Sequence, residues 1–101
     1  MSLIYWFLLL VVQNAAFTWV SRARNSGSIG YHAIASVFSN GVWFVSQFLL
    51  IGMAAKPGMS FGEAAPLCAI YIAGTTTGAV LMHLVAMRWL ESGNRKVGGA
   101  P

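Results

Sequence analysis

The sequence predicts an all-α integral membrane protein with three transmembrane helices. Hydrophobic residues make up 57% of the 101-residue chain and charged residues only 8%, whereas a soluble domain is usually about 25% charged. The apolar residues form three long stretches. Five of the six basic residues lie between or after these stretches, and the sixth, Arg88, lies in the last turn of the third. A chain of this length forms one domain, so we expect residues 1–101 to be a single membrane domain surrounded by a lipid bilayer.

The first apolar stretch, residues 3–20, has the length of a membrane-spanning helix. A bilayer core about 30 Å thick needs roughly 20 residues of helix. Tyr5, Trp6 and Trp19 lie near the two ends of the stretch, and aromatic side chains prefer the membrane interfaces. No lysine or arginine precedes the stretch and no small-residue cleavage site follows it. We therefore expect a spanning helix that is not removed as a signal peptide.

Two further apolar stretches, residues 31–55 and 64–90, are also long enough to cross the bilayer. The connection before the second stretch, residues 21–30, is polar and contains two arginines and two glycines. Residues 94–101 follow the third stretch and show no hydrophobic periodicity. Because nothing in this last segment predicts a packed element, we expect a basic, mobile tail.

The connection before the third stretch, residues 56–63, contains two conflicting signals. A Pro-Gly pair indicates a turn, and Ser60 and Glu63 have the spacing of a capping box at a helix start. Pro66 opposes a helix that begins at residue 61, because proline inside a helix removes a backbone hydrogen bond and bends the chain. Either the capping spacing is accidental, or the third helix begins with a bent turn.

The distribution of lysine and arginine predicts the orientation, because cytoplasmic connections are enriched in these residues. Five of the six basic residues follow the first or end the third stretch, and only Lys56 falls on the other side. The N-terminus is then outside and the C-terminus in the cytoplasm. The net charge of +4 is spread over segment ends, which favours lipid headgroups over nucleic acid as the partner. The five topology residues are Arg22, Arg24, Arg88, Arg95 and Lys96.

Each predicted helix carries a stripe of polar side chains. Polar groups in hydrocarbon are costly unless they find partners, so we expect these side chains to make contacts between helices. The stripes consist of Gln13, Asn14 and Thr18 in the first stretch, Ser36, Ser39, Asn40, Ser46 and Gln47 in the second, and Thr75, Thr76 and His83 in the third.

Two interpretations of these stripes remain open. The side chains hold the helices of one bundle together, at about 0.6 to 2 kcal/mol for each hydrogen bond, or they face water when several copies assemble. Amides at Gln13, Asn14, Asn40 and Gln47 favour self-association, because three helices offer few partners for so many strong donor and acceptor groups.

Small residues in the third stretch predict a close helix contact. Gly74 and Gly78 form a GxxxG motif, and Ala69 and Ala73 form a neighbouring pair with the same spacing. Such pairs let two backbones approach within a membrane. We expect these residues to form a packing face, either within one chain or between chains.

The sequence predicts no enzymatic, metal or cofactor site. Aspartate is absent, and no metal, phosphate or nucleophile motif is present. The histidines at positions 32 and 83 have no nearby carboxylate or cysteine, which makes a poor metal-ligand set. Glu63 and Glu91 both lie at segment boundaries, whereas proton-coupled transport usually uses a carboxylate within the membrane.

The span number, the predicted orientation and the basic tail at Arg95 and Lys96 resemble the class I bacteriophage holins. The resemblance covers the whole chain and is one of size and topology. It implies a small phage or bacterial protein that forms homo-oligomers in the inner membrane and permeabilises it, without catalytic residues. An alternative is a non-pore accessory or regulatory subunit that binds a larger membrane protein. A homo-oligomeric channel or transporter is a third possibility.

Overall fold

The computed structural model describes residues 3–54 and 58–98, without the side chains of residues 50–54. Helices account for nearly all of the described chain, which confirms the predicted all-α fold. In chain order these are α1 (Leu3–Arg24), α2 (Ile29–Ala54), α3 (Phe61–Val85), a π-helical turn (Ala86–Leu90) that continues α3, and a short 3₁₀ turn (Gly93–Arg95).

The connection between α1 and α2 is shorter than the sequence predicts. α1 runs on to Arg24 and α2 begins at Ile29, so that the loop contains only residues 25–28. Ser28 caps α2, because its hydroxyl accepts a hydrogen bond of 3.2 Å from the backbone N–H of Tyr31. A serine cap satisfies one of the N–H groups that every helix start leaves unpaired.

The start of α3 contains both of the conflicting signals of residues 56–66. Ser60 accepts from the backbone N–H of Glu63, and the carboxylate of Glu63 accepts from the backbone N–H of Ser60, so the capping box is formed. Pro66 lies inside the helix all the same. It occupies the second turn. Because proline has no backbone N–H, the hydrogen bond that this position would donate to the carbonyl of Gly62 is not formed.

A π-helical turn ends the third helix. The backbone N–H of Glu91 donates to the carbonyl of Ala86 over 2.9 Å, a bond one residue wider than that of an α-helix. Turns of this kind are rare and often occur at functional sites. Here the wide turn brings Glu91 beside α1.

α1 is the central helix of the molecule. It packs along both α2 and α3, whereas α2 and α3 barely touch each other within the described ranges. The helices form an elongated body of 51 × 21 × 18 Å. Two segments, Leu3–Arg24 and Phe61–Leu90, are long and apolar enough to cross a membrane.

The outer surface of the helices is apolar and part of the interior is polar. Gln13 is only 7% exposed and Ser46 only 1%, whereas aliphatic and aromatic side chains such as Ile4, Phe44 and Phe48 are largely exposed. Soluble proteins do not expose such long apolar faces. This distribution is the one expected when hydrocarbon is the solvent, because apolar side chains then need no burial.

Two features near the ends of the chain add to the sequence analysis. Trp6, near the start of α1, is only 3% exposed. The expected mobile tail makes defined contacts over its first residues: Val97 forms an antiparallel bridge with Ser26, and the N–H of Gly98 donates to the carbonyl of Asn25 over 2.8 Å. Residues 99–101 lie outside the described part.

Candidate functional site

The contact between α1 and α3 is built around the two glycines of the GxxxG motif. A Cβ atom on Gly78 would collide with the carbonyl oxygen of Val11 and would lie 3.1 Å from the backbone nitrogen of Ala15. A Cβ atom on Gly74 would lie 2.9 Å from the Cβ of Leu10. Only glycine permits this approach, so the motif packs within one chain.

The neighbouring alanines of α3 do not share this contact. Ala69 and Ala73 are exposed, and they lie on a different face from the buried Gly74 and Gly78. The four small residues therefore do not form one packing face. The alanine pair belongs to the outer surface of the molecule.

A hydrogen bond beside the glycines joins the same two helices. The amide nitrogen of Asn14 donates to the backbone carbonyl of Thr75 over 2.7 Å. The hydroxyl of Thr75 donates to the carbonyl of Tyr71 in its own helix over 2.7 Å. Asn14 therefore finds a partner within the chain, and Thr75 contributes its backbone to that contact.

The contact between α1 and α2 contains a second group of polar residues. Gln13, Ser39 and Ser46 are buried, and the hydroxyl of Ser46 donates to the carbonyl of Val42 in its own helix over 2.7 Å. Thr18 is half-buried. Hydroxyls that bond within their own helix are compatible with an apolar environment, because no polar atom is left unpaired.

Aromatic packing completes the contact near the loop. The indole N–H of Trp19 donates to the hydroxyl of Tyr31 over 2.9 Å, and the two rings meet edge to face with centroids 6.1 Å apart. The ring of Phe38 lies on the indole of Trp19 with a centroid distance of 5.7 Å. Val20, Ala23 and Ala35 form a buried cluster with Tyr31.

The remaining polar residues of the predicted stripes are exposed or only half-buried. Asn40 and Thr76 are exposed, and Ser36 and Gln47 are half-buried. Within the described ranges, no hydrogen bond is formed by these four side chains. The stripe of α2 is thus divided: Ser39 and Ser46 face α1, and the others lie on the outer surface.

The end of the molecule that carries the first loop contains most of its charges. We call this the basic end, formed by residues 21–28 and 86–98. Here Arg22 forms a two-pronged ion pair with Glu91, in which Nη2 donates to Oε1 over 2.8 Å and Nε donates to Oε2. Because Glu91 is only 7% exposed, the pair is largely shielded from water.

The ion pair perturbs the titration of Glu91. The hydrogen bonds from Arg22 favour the carboxylate and hold the pKa of Glu91 below its usual range, against the opposing effect of burial. His83 lies on the same side, with Nε2 3.5 Å from Nη1 of Arg22. No sequence pattern predicts a contact between residues that are 69 positions apart. The one relevant signal in the sequence is an acidic residue, Glu91, among basic residues.

The other basic residues of the basic end have no carboxylate partner within the described ranges. Arg24, Arg88, Arg95 and Lys96 are exposed. Arg95 donates to the hydroxyl of Ser92 over 3.1 Å, and its guanidinium carbon lies 6.0 Å from the ring centroid of Tyr31. These four charges are free to meet an anionic surface, whereas Arg22 is engaged within the chain. Lys56 lies outside the described part.

The described residues contain no group of three His, Cys, Asp or Glu side chains that could hold a metal ion. The two histidines have different surroundings. His83 lies beside Arg22, and His32 lines a shallow depression with Arg24, Ser26 and Ser28.

Comparison of the chain with protein-family models, curated proteins and solved structures gives no match. The functional conclusion therefore comes from the residues of this chain and their surroundings.

Proposed function

We propose that the protein is a three-span inner-membrane protein of a bacterium or bacteriophage that assembles into homo-oligomers and permeabilises the membrane, as class I holins do. The observation that carries the proposal is that Asn40 and Thr76 are exposed among large apolar side chains and form no hydrogen bond within the described ranges. In a single copy these two side chains face lipid, whereas an assembly offers them hydrogen-bond partners or water.

Membrane insertion of all three helices is supported by their length and surface. α1 contains 22 residues and α2 contains 26, which at 1.5 Å per residue gives about 33 and 39 Å. Each exceeds a hydrocarbon core of about 30 Å. The large exposed hydrophobic residues lie along all three helices, so each helix has a face suited to acyl chains.

The proposed orientation, N-terminus outside and C-terminus in the cytoplasm, is supported by the gathering of charge at the basic end. Ser26 of the first loop and Val97 of the tail lie side by side, as expected for two connections on one side of the membrane. Arg24, Arg88 and Lys96 are exposed there. The enrichment of cytoplasmic connections in lysine and arginine assigns this side to the cytoplasm.

Self-association is supported by the cost of the exposed amide. An amide without a hydrogen bond in an apolar environment costs about 1 to 3 kcal/mol. Within the described ranges α2 and α3 barely touch each other, and no hydrogen bond joins Asn40 to Thr76. When copies pack together, Asn40 and Thr76 no longer face lipid. Water in a lumen between the copies offers the same side chains hydrogen bonds.

The proposed mechanism requires no catalytic residue. Copies accumulate in the membrane and associate through their outer faces. Beyond a threshold density, the assemblies rearrange so that polar side chains of α2 and α3 line water. Protons and larger solutes then cross the membrane.

Expression of the chain alone in a bacterium tests the proposal. We expect the membrane potential, followed with a voltage-sensitive dye, to collapse once expression passes a threshold. The double variant Asn40→Leu with Thr76→Val removes the outer polar groups and delays or abolishes the collapse. Gly41→Ala, where an added Cβ meets no atom within 4 Å, serves as a control with wild-type behaviour. Normal potential and growth at high expression of the wild-type chain would refute permeabilisation.

An accessory or regulatory subunit of a larger membrane complex is the second candidate, and the exposed aromatic residues of α2 favour it. Trp43 is 47% exposed and Phe44 is 67% exposed, and large aromatic side chains are common anchors in protein interfaces. Purification from native membranes separates the two candidates. A pore former isolates mainly with itself, whereas an accessory subunit brings one larger protein at a fixed ratio.

A further inference from the structure

Four residues form a polar seam on the outer surface of α2. Ser36, Asn40, Trp43 and Gln47 follow a spacing of four, three and four residues, which places them on one face of a helix. Asn40 and Trp43 are exposed, and Ser36 and Gln47 are half-buried. The buried residues of α2, such as Ser39 and Ser46, lie on a different face that packs on α1. We call the four residues the α2 seam.

The position of Asn40 makes the seam unfavourable in a lone copy. Asn40 lies close to the midpoint of α2, which runs from Ile29 to Ala54. If α2 crosses the bilayer, the amide lies near its centre, where neither water nor lipid headgroups offer hydrogen bonds. Within the described ranges no side chain or backbone group bonds to it, and α3 packs elsewhere. The described part of the chain offers this amide no partner, and a second molecule can supply one.

The chemistry of the seam makes a second copy its matching partner. An amide carries both donors and an acceptor, so Asn40 of one copy complements Asn40 of another across a twofold axis. Two copies with the same membrane orientation place their α2 helices parallel. Asn40 then faces Asn40, and Gln47 faces Gln47 about 10 Å further along the axis. Trp43 lies between the amides and supplies apolar contact area.

The spacing of the seam fits this arrangement. A repeat of four and three residues is the pattern by which parallel helices interlock side chains. A single asparagine at such a position favours one register and one number of helices. We propose that the α2 seam is the primary contact between copies of this chain, a twofold pairing through Asn40 and Gln47. This inference rests on the proposed function only in requiring α2 to cross the membrane.

Disulfide cross-linking in native membranes tests the geometry of the contact. In a Cys68→Ser background, Ser36→Cys places a thiol on the seam, and Ile34→Cys places one at a similar depth on another exposed face. We expect mild oxidation to link Ser36→Cys chains into dimers and to leave Ile34→Cys chains monomeric. Equal linking at the two positions, or linking only at residue 34, would overturn the seam.

Side-chain replacement tests the chemistry of the contact. Energy transfer between labelled copies in lipid vesicles reports association, and we expect Asn40→Leu to weaken it roughly three- to thirtyfold. Asn40→Gln retains the amide and restores association. Gly41→Ala, at an exposed residue of α2 outside the seam where an added Cβ meets no atom within 4 Å, leaves the association of copies unchanged. Association of Asn40→Leu at the wild-type strength shows that the amide does not hold copies together and overturns the proposal.

Dye release from the same vesicles separates the seam from the proposed function. If chains link at residue 36 but release no dye, the seam is supported and permeabilisation is refuted. If chains release dye but do not link at residue 36, permeabilisation is supported and the seam is refuted. If the seam binds a larger membrane protein and the purified chain does not self-associate in vesicles, a second copy is not the partner of the seam.

Discussion

Asn14 and Asn40 are the same type of residue in two different environments. Asn14 lies between α1 and α3, where its amide donates to the carbonyl of Thr75. Asn40 lies on the outer surface of α2 and has no such neighbour within the described ranges. The first amide stabilises the fold of one chain, whereas the second leaves a hydrogen-bonding capacity that a further molecule or water has to fill.

Glu91 stabilises the basic end through its ion pair with Arg22. A carboxylate that accepts two charge-assisted hydrogen bonds from a guanidinium is held in a defined geometry. This contact joins the last turn of α1 to the end of α3, where the π-helical turn presents Glu91. Loss of the carboxylate leaves Arg22 largely buried without its partner.

Glu91→Gln is expected to lower the free energy of unfolding by about 1.5 to 3 kcal/mol, the usual contribution of a hydrogen bond to a charged group. Unfolding in mixed micelles of a mild and a denaturing detergent measures this value. Arg88→Gln, at an exposed residue with no carboxylate partner in the described part of the chain, serves as the control and is expected to change stability by less than about 0.5 kcal/mol.

Stability of the wild-type chain is expected to fall in acid because the pKa of Glu91 is lowered in the fold. The contribution of the ion pair is fully present above the ordinary pKa of 4.5. It is lost as the pH falls from 4.5 through the lowered value. In that range the unfolded chain binds a proton at Glu91 more readily than the folded chain does, so acid favours unfolding. Glu91→Gln removes this loss. An equally steep acid loss in the variant would contradict the assignment.

At the scale of the helices, α1 is the element on which both others pack. The GxxxG motif of α3 was visible in the sequence, but its partner was not. Gly74 faces Leu10 and Gly78 faces the backbone of Val11, so the motif forms an intramolecular contact. The surface available for self-association is therefore elsewhere, on the outer faces of α2 and α3.

Gly78→Ala is expected to separate α1 from α3 and to destabilise the fold by about 1 to 3 kcal/mol, the usual cost of overpacking. The added methyl group meets the backbone of Val11, which cannot move as a flexible side chain does. Detergent-induced unfolding measures the change.

Gly41→Ala is the matched control for this variant, because a Cβ at residue 41 meets nothing within 4 Å. There we expect no loss, or a gain of up to about 1 kcal/mol from the better helix propensity of alanine. Equal stabilities of the two alanine variants would show that the close contact at Gly78 does not exist in solution.

The ends of α3 show how local sequence signals and packing combine. Ser60 and Glu63 form the capping box that their spacing predicts. Pro66 does not prevent the helix from starting at Phe61, because a proline in the second turn removes one hydrogen bond and leaves the rest of the helix intact. The π-helical turn at the other end has no comparable signal in the sequence.

At the scale of the whole molecule, charge is concentrated at one end of an elongated helical body. The basic end combines the first loop with the start of the C-terminal tail, which are joined by the bridge between Ser26 and Val97. Arg24, Arg88, Arg95 and Lys96 are exposed there. We expect this end to face the anionic cytoplasmic leaflet, where each basic residue contributes about 1 kcal/mol.

Cysteine labelling tests this orientation. In a Cys68→Ser background, Met59→Cys reports the connection before α3 and Asn94→Cys reports the basic end. A thiol reagent that cannot cross the inner membrane is expected to label residue 59 in intact spheroplasts and residue 94 only after lysis. The reverse pattern would place the N-terminus in the cytoplasm and contradict the proposed topology.

The amino-acid sequence by itself determined the helical segments and the concentration of charge at segment ends, and it gave the capping of α3 as one of two alternatives. Each of these depends on neighbouring residues along the chain. Boundaries moved by a few residues, because the charged and polar residues of the first loop continue α1 or cap α2.

Only the tertiary structure decided which polar side chains find a partner. Ser39 and Asn40 belong to the same predicted stripe of α2, yet one is buried and the other exposed. Likewise, Arg22 pairs with a carboxylate 69 residues away, whereas Arg24 has no carboxylate partner within the described ranges. The physical reason is that burial and pairing depend on contacts between helices distant in sequence, and hydrophobic periodicity alone does not specify which faces meet.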